Sequence, residues 1–509
     1  MPIVLDGGHL TIEQVVRAAR EHEVASLSAK AGEAVCEARE YVERKLAEGA
    51  VIYGLTTGFG KFQDTFIPPE KASLLQYNLI RSHSCGTGEP LPEEAVRAML
   101  LLRVNALAKG YSGVRLATLE TLLDMLNRGL TPIVPEKGSL GASGDLIQLA
   151  HMVLPMIGEG EALYAGVRTG GRDAMAMAGI PLVELASKEG LALINGTQAM
   201  CAIGALALHD ATEMARAADV LAAMCCEAQL AITKAFDPKI QEARGHNCQI
   251  GVAANLRKLL EGSKLAAAAV PGKVQDAYCI RCIPQIHGAS REAFAYATNV
   301  LTNEINAATD NPLIFAADDE VLSGGNFHGQ PVAIALDTLG IATAELAGVS
   351  ERRIERLVNP ALSNGLPAFL SPDGGLNSGF MITQYAAASL VSENKIYAHP
   401  ASVDSIPSSA NQEDHVSMGA TAARTARMIA DNTLGVLAIE LFAVCQALHL
   451  RGEGLMAPAT KAVYDRVREA GVPVVGDDIL MYPQIEKCRT LIKAGEVVEA
   501  AESVCGKLN

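Results

Sequence analysis

Residues 197–231 read TQAMCAIGALALHDATEMARAADVLAAMCCEAQLA, an alanine-rich stretch with its charged side chains on one face of a helix. Similar stretches run from about Pro331 to Leu357 and from Ala420 to Leu450. Each could form a helix of about 25 to 30 residues, roughly 40 Å long at 1.5 Å per residue. Long helices that are apolar nearly all round are typical of bundles, where they are buried against one another. The three stretches therefore predict an all-α fold.

The amino-acid composition also favours long packed helices. Hydrophobic residues make up 49% of the 509-residue chain, but aromatic residues only 4%, and Trp is absent. A core with so few aromatic side chains must consist mainly of Ala, Leu, Ile, Val and Met, and most of these are good helix formers. We predict one continuous structural unit in three parts: a mixed N-terminal part over 1–200, a central long-helix bundle over 201–450 and a C-terminal helical tail over 451–509.

Charge and cysteine content argue against several classes of function. The formal net charge is −15, whereas a nucleic-acid-binding protein would show a basic face. Eleven cysteines in so long a chain predict free thiols in a reduced compartment, and Cys279 and Cys282 lack the second pair of a zinc site. The N-terminus has no signal-peptide pattern, and the longest apolar runs contain charges such as Glu440. We therefore predict a cytoplasmic protein with no nucleic-acid partner, no membrane span and no zinc site at this cysteine pair.

Polar segments marked by glycine and proline lie between the predicted helices. Loops on a rigid scaffold are where binding and catalytic residues concentrate, so we expect the chemistry of the chain there. The segments occupy 53–60, 81–88, 138–148, 193–198, 271–288, 308–313, 323–330 and 408–419.

The segment from Gly138 to Asp145 reads GSLGASGD and differs from the common glycine-rich motifs. It lacks the Lys-Ser or Lys-Thr ending of a phosphate-binding P-loop, and Asp145 breaks the Gly-x-Ser-x-Gly pattern of a hydrolase. Ala142-Ser143-Gly144 permits another reaction. In a tight bend the Gly144 nitrogen can attack the Ala142 carbonyl carbon, and loss of two waters leaves a five-membered ring with an electrophilic methylene. From these residues alone, an ordinary glycine–serine turn remains the alternative.

Four segments resemble, in the same order along the chain, motifs of the ammonia-lyase family that acts on histidine, phenylalanine and tyrosine. They are YGLTTGFG at 53–60, GSLGASGD at 138–145, KEGLALINGTQ at 188–198 and TDNPL at 309–313. The resemblance covers nearly the whole chain. It implies an elongated all-α long-helix bundle of the fumarase/aspartase-like type, with a mixed N-terminal part that carries the electrophile loop. It also implies a homotetramer with shared active sites.

The resemblance further implies a prosthetic group and the residues around it. The group is 4-methylidene-imidazol-5-one (MIO), formed autocatalytically from Ala142-Ser143-Gly144, with no external cofactor and no catalytic metal. Catalytic roles are implied for the ring residues Ala142, Ser143 and Gly144, for Tyr53, which would remove the substrate β-proton, and for Tyr278. Substrate-binding roles are implied for His83, Asn195, Gln275, Arg281, Phe327 and Glu413, with the Arg281 fork holding the carboxylate.

One position departs from the family pattern. Ile147-Gln148 stands where Ala-Pro is usual. A buried amide at Gln148 would alter hydrogen bonding near the ring, which concerns the detail of catalysis and not the activity itself.

Two segments bear on the choice of substrate within the family. Ser82-His83 stands where family members that act on phenylalanine resemble one another in carrying Phe-Leu, and those that act on tyrosine in carrying His-Leu. Gln412-Glu413-Asp414-His415 stands where both classes usually carry Gln-Asp. A Glu413 carboxylate can accept an imidazole N–H and His83 can address the other ring nitrogen, whereas a phenyl ring would leave both groups unpaired. We predict deamination of L-histidine to trans-urocanate and ammonia, the first step of histidine degradation.

Other interpretations remain open at this point. Within the family, the alternatives are a tyrosine or phenylalanine ammonia-lyase or an aminomutase. Pro271 to Gln275, PGKVQ, is similar to a loop of the fumarase/aspartase enzymes, which would use a serine base and no modified residue. A non-enzymatic helical scaffold is a further alternative. Without the resemblance, His83 could be an ordinary loop histidine, and Glu413, Asp414 and His415 could form a metal site. Tyr278 and Arg281 could likewise be an ordinary pair at an interface.

Overall fold

The computed structural model describes residues 2–268 and 270–509. The chain is 60% helical with few strands, so the predicted all-α long-helix class is confirmed. The α-helices of the described part are, in chain order, Ile12–Arg20 (α1), Ala29–Ala47 (α2), Ala72–His83 (α3), Glu93–Leu107 (α4), Leu116–Asn127 (α5), Leu146–Val153 (α6), Gly171–Met177 (α7), Glu189–Ile194 (α8), Gln198–Ala228 (α9), Pro238–Arg244 (α10), Asn247–Leu259 (α11), Tyr278–Arg281 (α12), Ile283–Glu304 (α13), Gln330–Val358 (α14), Met381–Tyr397 (α15), Gly419–Arg451 (α16), Pro458–Glu469 (α17), Tyr482–Lys493 (α18) and Glu496–Cys505 (α19).

The three alanine-rich stretches form the long helices α9, α14 and α16, close to their predicted bounds. Helix α9 ends at Ala228, before the predicted Ala231, because Leu230 has a left-handed φ of 51° that a continuing helix does not allow. Helices α14 and α16 are also long and apolar enough to cross a membrane by length and composition alone. In the folded chain, however, 67% and 89% of their most apolar windows are buried, as in the core helices of a bundle.

The strands are short and pair mostly with their neighbours along the chain. They are Ile3–Leu5 (β1), Ala25–Leu27 (β2), Thr87–Pro90 (β3), Thr131–Pro132 (β4), Pro135–Lys137 (β5), Glu161–Tyr164 (β6), Val167–Gly170 (β7), Leu313–Phe315 (β8) and Glu320–Leu322 (β9). β1 and β2 are parallel, and the antiparallel pairs are β3–β5, β4–β6, β6–β7 and β8–β9. Strands β1 to β7 lie within 1–200, which fits a mixed N-terminal part.

The chain divides into two compact units, each built from segments that are distant in sequence. The first unit consists of Met1–His209, Ala297–Asp337 and Pro400–Arg424, and the second of Asp210–Tyr296, Thr338–His399 and Thr425–Asn509. Four of the five boundaries fall inside the long helices α9, α13, α14 and α16, and the fifth follows the end of α15. The predicted division of the chain into parts 1–200, 201–450 and 451–509 stays a prediction.

Helix α4 runs through the core of the first unit. Every side chain from Ala95 to Leu107 is buried, and the helix packs against α1, α5 and α6. Its arginines Arg97 and Arg103 are among the largest fully buried side chains of the described residues. Since a buried cation is tolerated only where acceptors surround it, each arginine marks a place where the core is polar.

The core of the second unit contains a buried ion pair on α14 and α16. Arg353 and Glu440 are both fully buried, and Arg353 Nη2 donates to Glu440 Oε2 at 2.9 Å. The Ser350 hydroxyl and the Cys225 thiol donate to the same carboxylate. A buried carboxylate needs such partners, so the charge within this long apolar helix is compensated inside the fold.

Candidate active site

The electrophile loop, residues 138–145, connects β5 to α6 and is fixed at both ends by hydrogen bonds. The Ser139 hydroxyl donates to the Gly144 carbonyl oxygen (3.0 Å). The Ser417 hydroxyl, just before α16, donates to the Gly141 carbonyl oxygen (2.9 Å). Segments far apart in sequence therefore hold the loop in one conformation.

The loop packs against the turn that follows α8. The Asn195 side-chain amide donates to the Ser143 carbonyl (3.1 Å), and the Gly196 carbonyl accepts the Asp145 amide (2.7 Å). Gly144 has a left-handed φ of 70°, and a β-carbon on it would lie 2.1 Å from the Gly196 carbonyl oxygen. Glycine is thus required here by the packing as well as by the cyclisation that the sequence suggests.

Asp145 closes the loop and is fully buried. Its carboxylate accepts the Met200 amide in the first turn of α9 (2.8 Å) and lies 3.1 Å from the Ser139 hydroxyl. Burial raises the pKa of Asp145 from 3.8 to about 7, although these hydrogen bonds act in the opposite direction. The carboxyl group therefore changes between its protonated and ionised forms near neutral pH, directly beside Ala142-Ser143-Gly144.

A cavity of about 1370 Å³ opens beside the loop, and every residue that lines it belongs to the first unit. Most of the predicted site residues line it, namely Tyr53, His83, Ala142, Ser143, Asn195, Phe327 and Glu413. These residues come from separate polar segments of the sequence. The structure therefore brings the loop, the proposed base and both proposed imidazole contacts into one cavity.

Glu413 reaches the electrophile loop directly. The Ser143 hydroxyl donates to Glu413 Oε1 (2.9 Å), and the Ser408 hydroxyl donates to Oε2 (2.8 Å). Backbone hydrogen bonds in both directions between Ser408 and Glu413 (2.9 and 3.3 Å) close the turn that carries the carboxylate. Ser408 is not among the residues predicted from the sequence, where its position in the polar segment 408–419 is the only signal for it.

His83 is the last residue of α3, and its Nδ1 lies 3.1 Å from the Ser82 hydroxyl oxygen. Burial lowers the pKa of His83 below its usual 6.5, although the Leu79 backbone and the Glu413 charge act in the opposite direction. The imidazole is therefore neutral at neutral pH. One of its nitrogens donates a hydrogen bond and the other accepts one.

Tyr53 lies at the start of the glycine-rich segment 53–60. The Gly60 amide donates to the Tyr53 hydroxyl oxygen (3.1 Å), and the Phe59 ring meets the Tyr53 ring edge-on, with centroids 6.5 Å apart. These contacts fix the direction of the phenol oxygen at the cavity wall.

The remaining predicted residues do not line this cavity. Gly144 is packed against Gly196, while Gln275, Tyr278 and Arg281 belong to the second unit. Tyr278 is 69% exposed, and the Arg281 guanidinium stacks on its ring at 4.6 Å from the centroid. Among the described residues that line the cavity, Lys61 alone has a permanent positive charge.

Ile147 and Gln148, which depart from the family pattern, lie outside the cavity lining. Ile147 packs against Gly138. Gln148 is buried, its Nε2 lies 3.5 Å from the Pro135 carbonyl, and its Oε1 has no hydrogen-bond partner within 2–268 and 270–509. The buried amide therefore contacts the strand that leads into the loop rather than the residues of the ring.

The segment 413–415 does not have the geometry of a metal site. The His415 ring stacks on the His328 ring, with centroids 6.0 Å apart, and His328 Nε2 lies 3.1 Å from the His415 carbonyl oxygen. In the part of the chain that the structure describes, no group of three or more His, Cys, Asp or Glu side chains could hold a metal ion.

Comparison with known proteins points to one enzyme family. The profile of the aromatic amino acid lyase family matches residues 10–469. Histidine ammonia-lyase of Alkaliphilus oremlandii is 57% identical over 500 residues, which cover 98% of each chain. The crystal structure of histidine ammonia-lyase from Trypanosoma cruzi is 43% identical, with a TM-score of 0.92 over 99% of this chain and 96% of that one.

The same fold also occurs in an enzyme that is named for a different reaction. Tyrosine aminomutase from Streptomyces globisporus is 40% identical, with a TM-score of 0.94 over 100% of both chains. A shared fold therefore does not by itself identify the substrate. The family profile covers most of the chain, and relatives with more than 50% sequence identity align over nearly all of it. The chain therefore belongs to the aromatic amino acid lyase family.

Proposed function

We propose that this carbon–nitrogen lyase deaminates L-histidine to trans-urocanate and ammonia in the cytoplasm, as the first step of histidine degradation. The observation that carries the proposal is the position of Glu413, a carboxylate suited to an imidazole N–H, which lies 2.9 Å from the Ser143 hydroxyl of the electrophile loop before that hydroxyl is lost as water. The two groups are neighbours in one cavity. Relatives named histidine ammonia-lyase at 57% identity support the same substrate.

Residues 142–144 fit the formation of MIO. Ring closure would join the Gly144 nitrogen to the Ala142 carbonyl carbon, and the Ala142 oxygen would leave as water with the amide hydrogens of Ser143 and Gly144. A second water would take the Ser143 hydroxyl and α-hydrogen. The close packing that only glycine tolerates at 144 supports this. The group would supply an electrophilic methylene that makes the substrate amine a better leaving group, without an external cofactor.

The chain's own residues would hold the ring and move the substrate proton. The Asn195 amide, which donates to the Ser143 carbonyl, would hold the oxygen that the ring retains. Tyr53 would remove the β-proton as a general base, with its oxygen oriented by the Gly60 amide.

Recognition of the imidazole would rest on two polar groups in the cavity wall. The Glu413 carboxylate would accept one ring N–H, and the neutral His83 ring would bond to the other nitrogen. Phe327 would supply an apolar contact to the ring. A phenyl or phenol ring would leave Glu413 and His83 without partners, which disfavours the tyrosine and phenylalanine alternatives.

A second copy of the chain would complete the site. The substrate carboxylate needs a cation, and an arginine fork suits it better than the exposed Lys61. We propose that Arg281, with Tyr278 and Gln275, serves the cavity of another subunit in a homotetramer. This is supported by their absence from the cavity lining in their own chain and by the exposure of Tyr278.

The alternative reactions have less support. A fumarase/aspartase-like lyase without MIO is not favoured, because the family profile covers residues 10–469. An aminomutase shares the fold, as the enzyme from Streptomyces globisporus illustrates. It would return an isomer of the amino acid, whereas the proposed reaction releases ammonia.

Incubation with single amino acids tests the proposed function. The wild-type protein should release ammonia and urocanate from L-histidine, with a preference on the order of 10⁴ over L-tyrosine and L-phenylalanine, because two buried polar groups lose their partners with the other rings. Product spectra and ammonia assays measure both. Ser143→Ala should retain the circular dichroism spectrum and lose deamination. Ammonia release from the aromatic substrates alone would contradict the substrate, and a fully active Ser143→Ala would contradict the electrophile.

Glu413→Gln tests the imidazole contact. Replacing a charged acceptor by a neutral amide should lower kcat/KM for histidine by roughly 10- to 100-fold. The inhibition constant of a carboxylate analogue without an imidazole ring should stay unchanged. Asp414→Asn, at the exposed neighbour that also lines the cavity, is the matched control. Equal histidine turnover in Glu413→Gln and wild type would show that this carboxylate does not bind the ring.

The pH profile tests His83. Since burial holds its pKa below 6.5, His83 is neutral above that pH, and activity that depends on neutral His83 should fall as the pH drops through the lowered value. The same shift makes the folded chain bind this proton less readily than the unfolded chain, so stability also falls below pH 6.5. His83→Gln should lose this acid limb and about 10-fold in kcat/KM. An identical acid limb in wild type and His83→Gln would assign it to another group.

Complementation tests the shared site. Tyr53→Phe and Arg281→Met should each be inactive alone, since each removes one part of every site. If the two residues come from different subunits, co-expressed variants should recover about a quarter of the wild-type activity by random assembly. The double variant, with both changes on one chain and expressed alone, should be inactive. Mixed oligomers without activity would place both residues in one subunit's site.

A further inference from the structure

Arg103 of α4 is fully buried and directs its charge at the turn beside the electrophile loop. Its Nη1 donates to the Asn195 carbonyl oxygen (3.0 Å) and to Gln198 Oε1 (2.9 Å), and its Nη2 donates to the Ala192 carbonyl oxygen. The two carbonyls lie at the C-terminal end of α8, where the last turn of a helix leaves acceptors without intrahelical partners. The cation therefore fixes the end of α8 and the peptide group that follows it.

The turn is held between this arginine and the loop. A β-carbon on Gly196 would lie 2.5 Å from Arg103 Nη1, 2.3 Å from Gln198 Oε1 and 2.6 Å from the Thr309 hydroxyl. Gln198 Nε2 donates to that hydroxyl at 2.8 Å, so the polar cluster is itself connected. On its other side, the Gly196 carbonyl oxygen meets Gly144, where a β-carbon would lie 2.1 Å away. A shift of Arg103 would therefore shift the surface against which the loop is packed.

We propose that Arg103 is a positioning residue for ring closure at 142–144. The proposal rests on the proposed function, because it concerns how the electrophile forms. Arg103 fixes the Asn195–Gly196 peptide, and that peptide sets both the Asn195 amide on the Ser143 carbonyl and the Gly196 carbonyl against Gly144. Ring closure forms the bond from the Gly144 nitrogen to the Ala142 carbon and expels the Ala142 oxygen as water. Arg103 touches none of these atoms and transfers no proton.

The surroundings of Arg103 favour a positioning role over simple packing. Its Nε has no hydrogen-bond partner in the described part of the chain, and none of its hydrogen-bond acceptors is a carboxylate. Burial lowers its pKa to about 10, so it remains charged at neutral pH. An incompletely paired buried cation disfavours folding, and an apolar side chain would fill such a space at less cost.

Arg97 on the same helix provides a matched control. It is also buried, and its guanidinium donates to the Ala18 carbonyl (2.9 and 3.2 Å) and the Leu126 carbonyl (3.1 Å). Within the described residues, neither Ala18 nor Leu126 hydrogen-bonds to the electrophile loop. Lysine at 97 or at 103 keeps the charge but loses the fork that serves several carbonyls at once. The two substitutions should therefore disturb the fold to a similar extent and differ in their effect on the loop.

The experiment follows the mass of the full chain by mass spectrometry at intervals after cell-free synthesis. Ring formation removes two waters, and this is measured without reference to activity. Arg103→Lys should slow the loss of water by about 10-fold or more, as expected when hydrogen bonds from a charged group are lost, while Arg97→Lys should convert at the wild-type rate. Gln198→Leu, which removes one acceptor of Arg103, should slow conversion less. Melting temperatures of all variants report the effect on the fold.

The outcomes separate a positioning role from a structural one. Slow conversion in Arg103→Lys at a melting temperature matching Arg97→Lys supports the proposal. Conversion of Arg103→Lys at the wild-type rate, or equal slowing in Arg97→Lys, overturns it and leaves the proposed function intact. If Arg103→Lys does not fold, the rate of water loss in Gln198→Leu is compared with that in Arg97→Lys instead. Slower conversion in Gln198→Leu supports the proposal, and equal rates overturn it. A wild-type chain that never loses two waters overturns both this proposal and the proposed electrophile.

Discussion

The contact between the Gly144 and Gly196 backbones is the constraint on which the rest of the site depends. Two chain segments meet there without a side chain between them, and a β-carbon on Gly144 would lie 2.1 Å from the Gly196 carbonyl oxygen. Contact this close tolerates little movement, so the elements that carry the two segments must be rigid. The buried helix α4 and the first turn of α9 supply that rigidity, through Arg103 and through the Met200 amide on Asp145.

The first unit holds this contact with buried polar groups rather than with hydrophobic packing alone. Besides Arg103 and Asp145, the fully buried Lys188, which precedes α8, donates to Asp310 at 2.7 Å. Burial lowers the pKa of Lys188, although Asp310 acts in the opposite direction. Directional hydrogen bonds define positions more sharply than apolar contacts do, and they are costly to leave unmade. The arrangement is suited to a loop that must react with itself in one conformation.

Under the proposed function, reaction and substrate depend on different parts of the molecule. The fold is shared with a histidine ammonia-lyase and with a tyrosine aminomutase, with TM-scores of 0.92 and 0.94. The two groups proposed to bind the imidazole, Glu413 and His83, lie in the cavity wall on a short turn and at a helix end. A change of a few wall residues can therefore change the substrate while the loop stays the same.

Local physical chemistry determined what the sequence alone could predict. Alanine-rich, nearly all-round apolar stretches indicated α9, α14 and α16, because helix propensity and burial depend on residues close together in the chain. The loop at 138–145 was recognisable because its chemistry lies in three consecutive residues. The sequence also predicted Gln275, Tyr278 and Arg281 as site residues, and these stay predictions because they belong to the second unit and do not line the cavity.

The tertiary structure decided which distant residues meet. Arg103 lies in an apolar helix, where periodicity predicts burial but gives no sign of its acceptors at Asn195 and Gln198. Ser408 was one polar residue among many until the fold directed its hydroxyl to Glu413. Such contacts join residues far apart in sequence, and their geometry is set by the packing of whole helices and turns rather than by local preference. For this reason the sequence predicted the three residues of the proposed electrophile, and the fold determined what surrounds them.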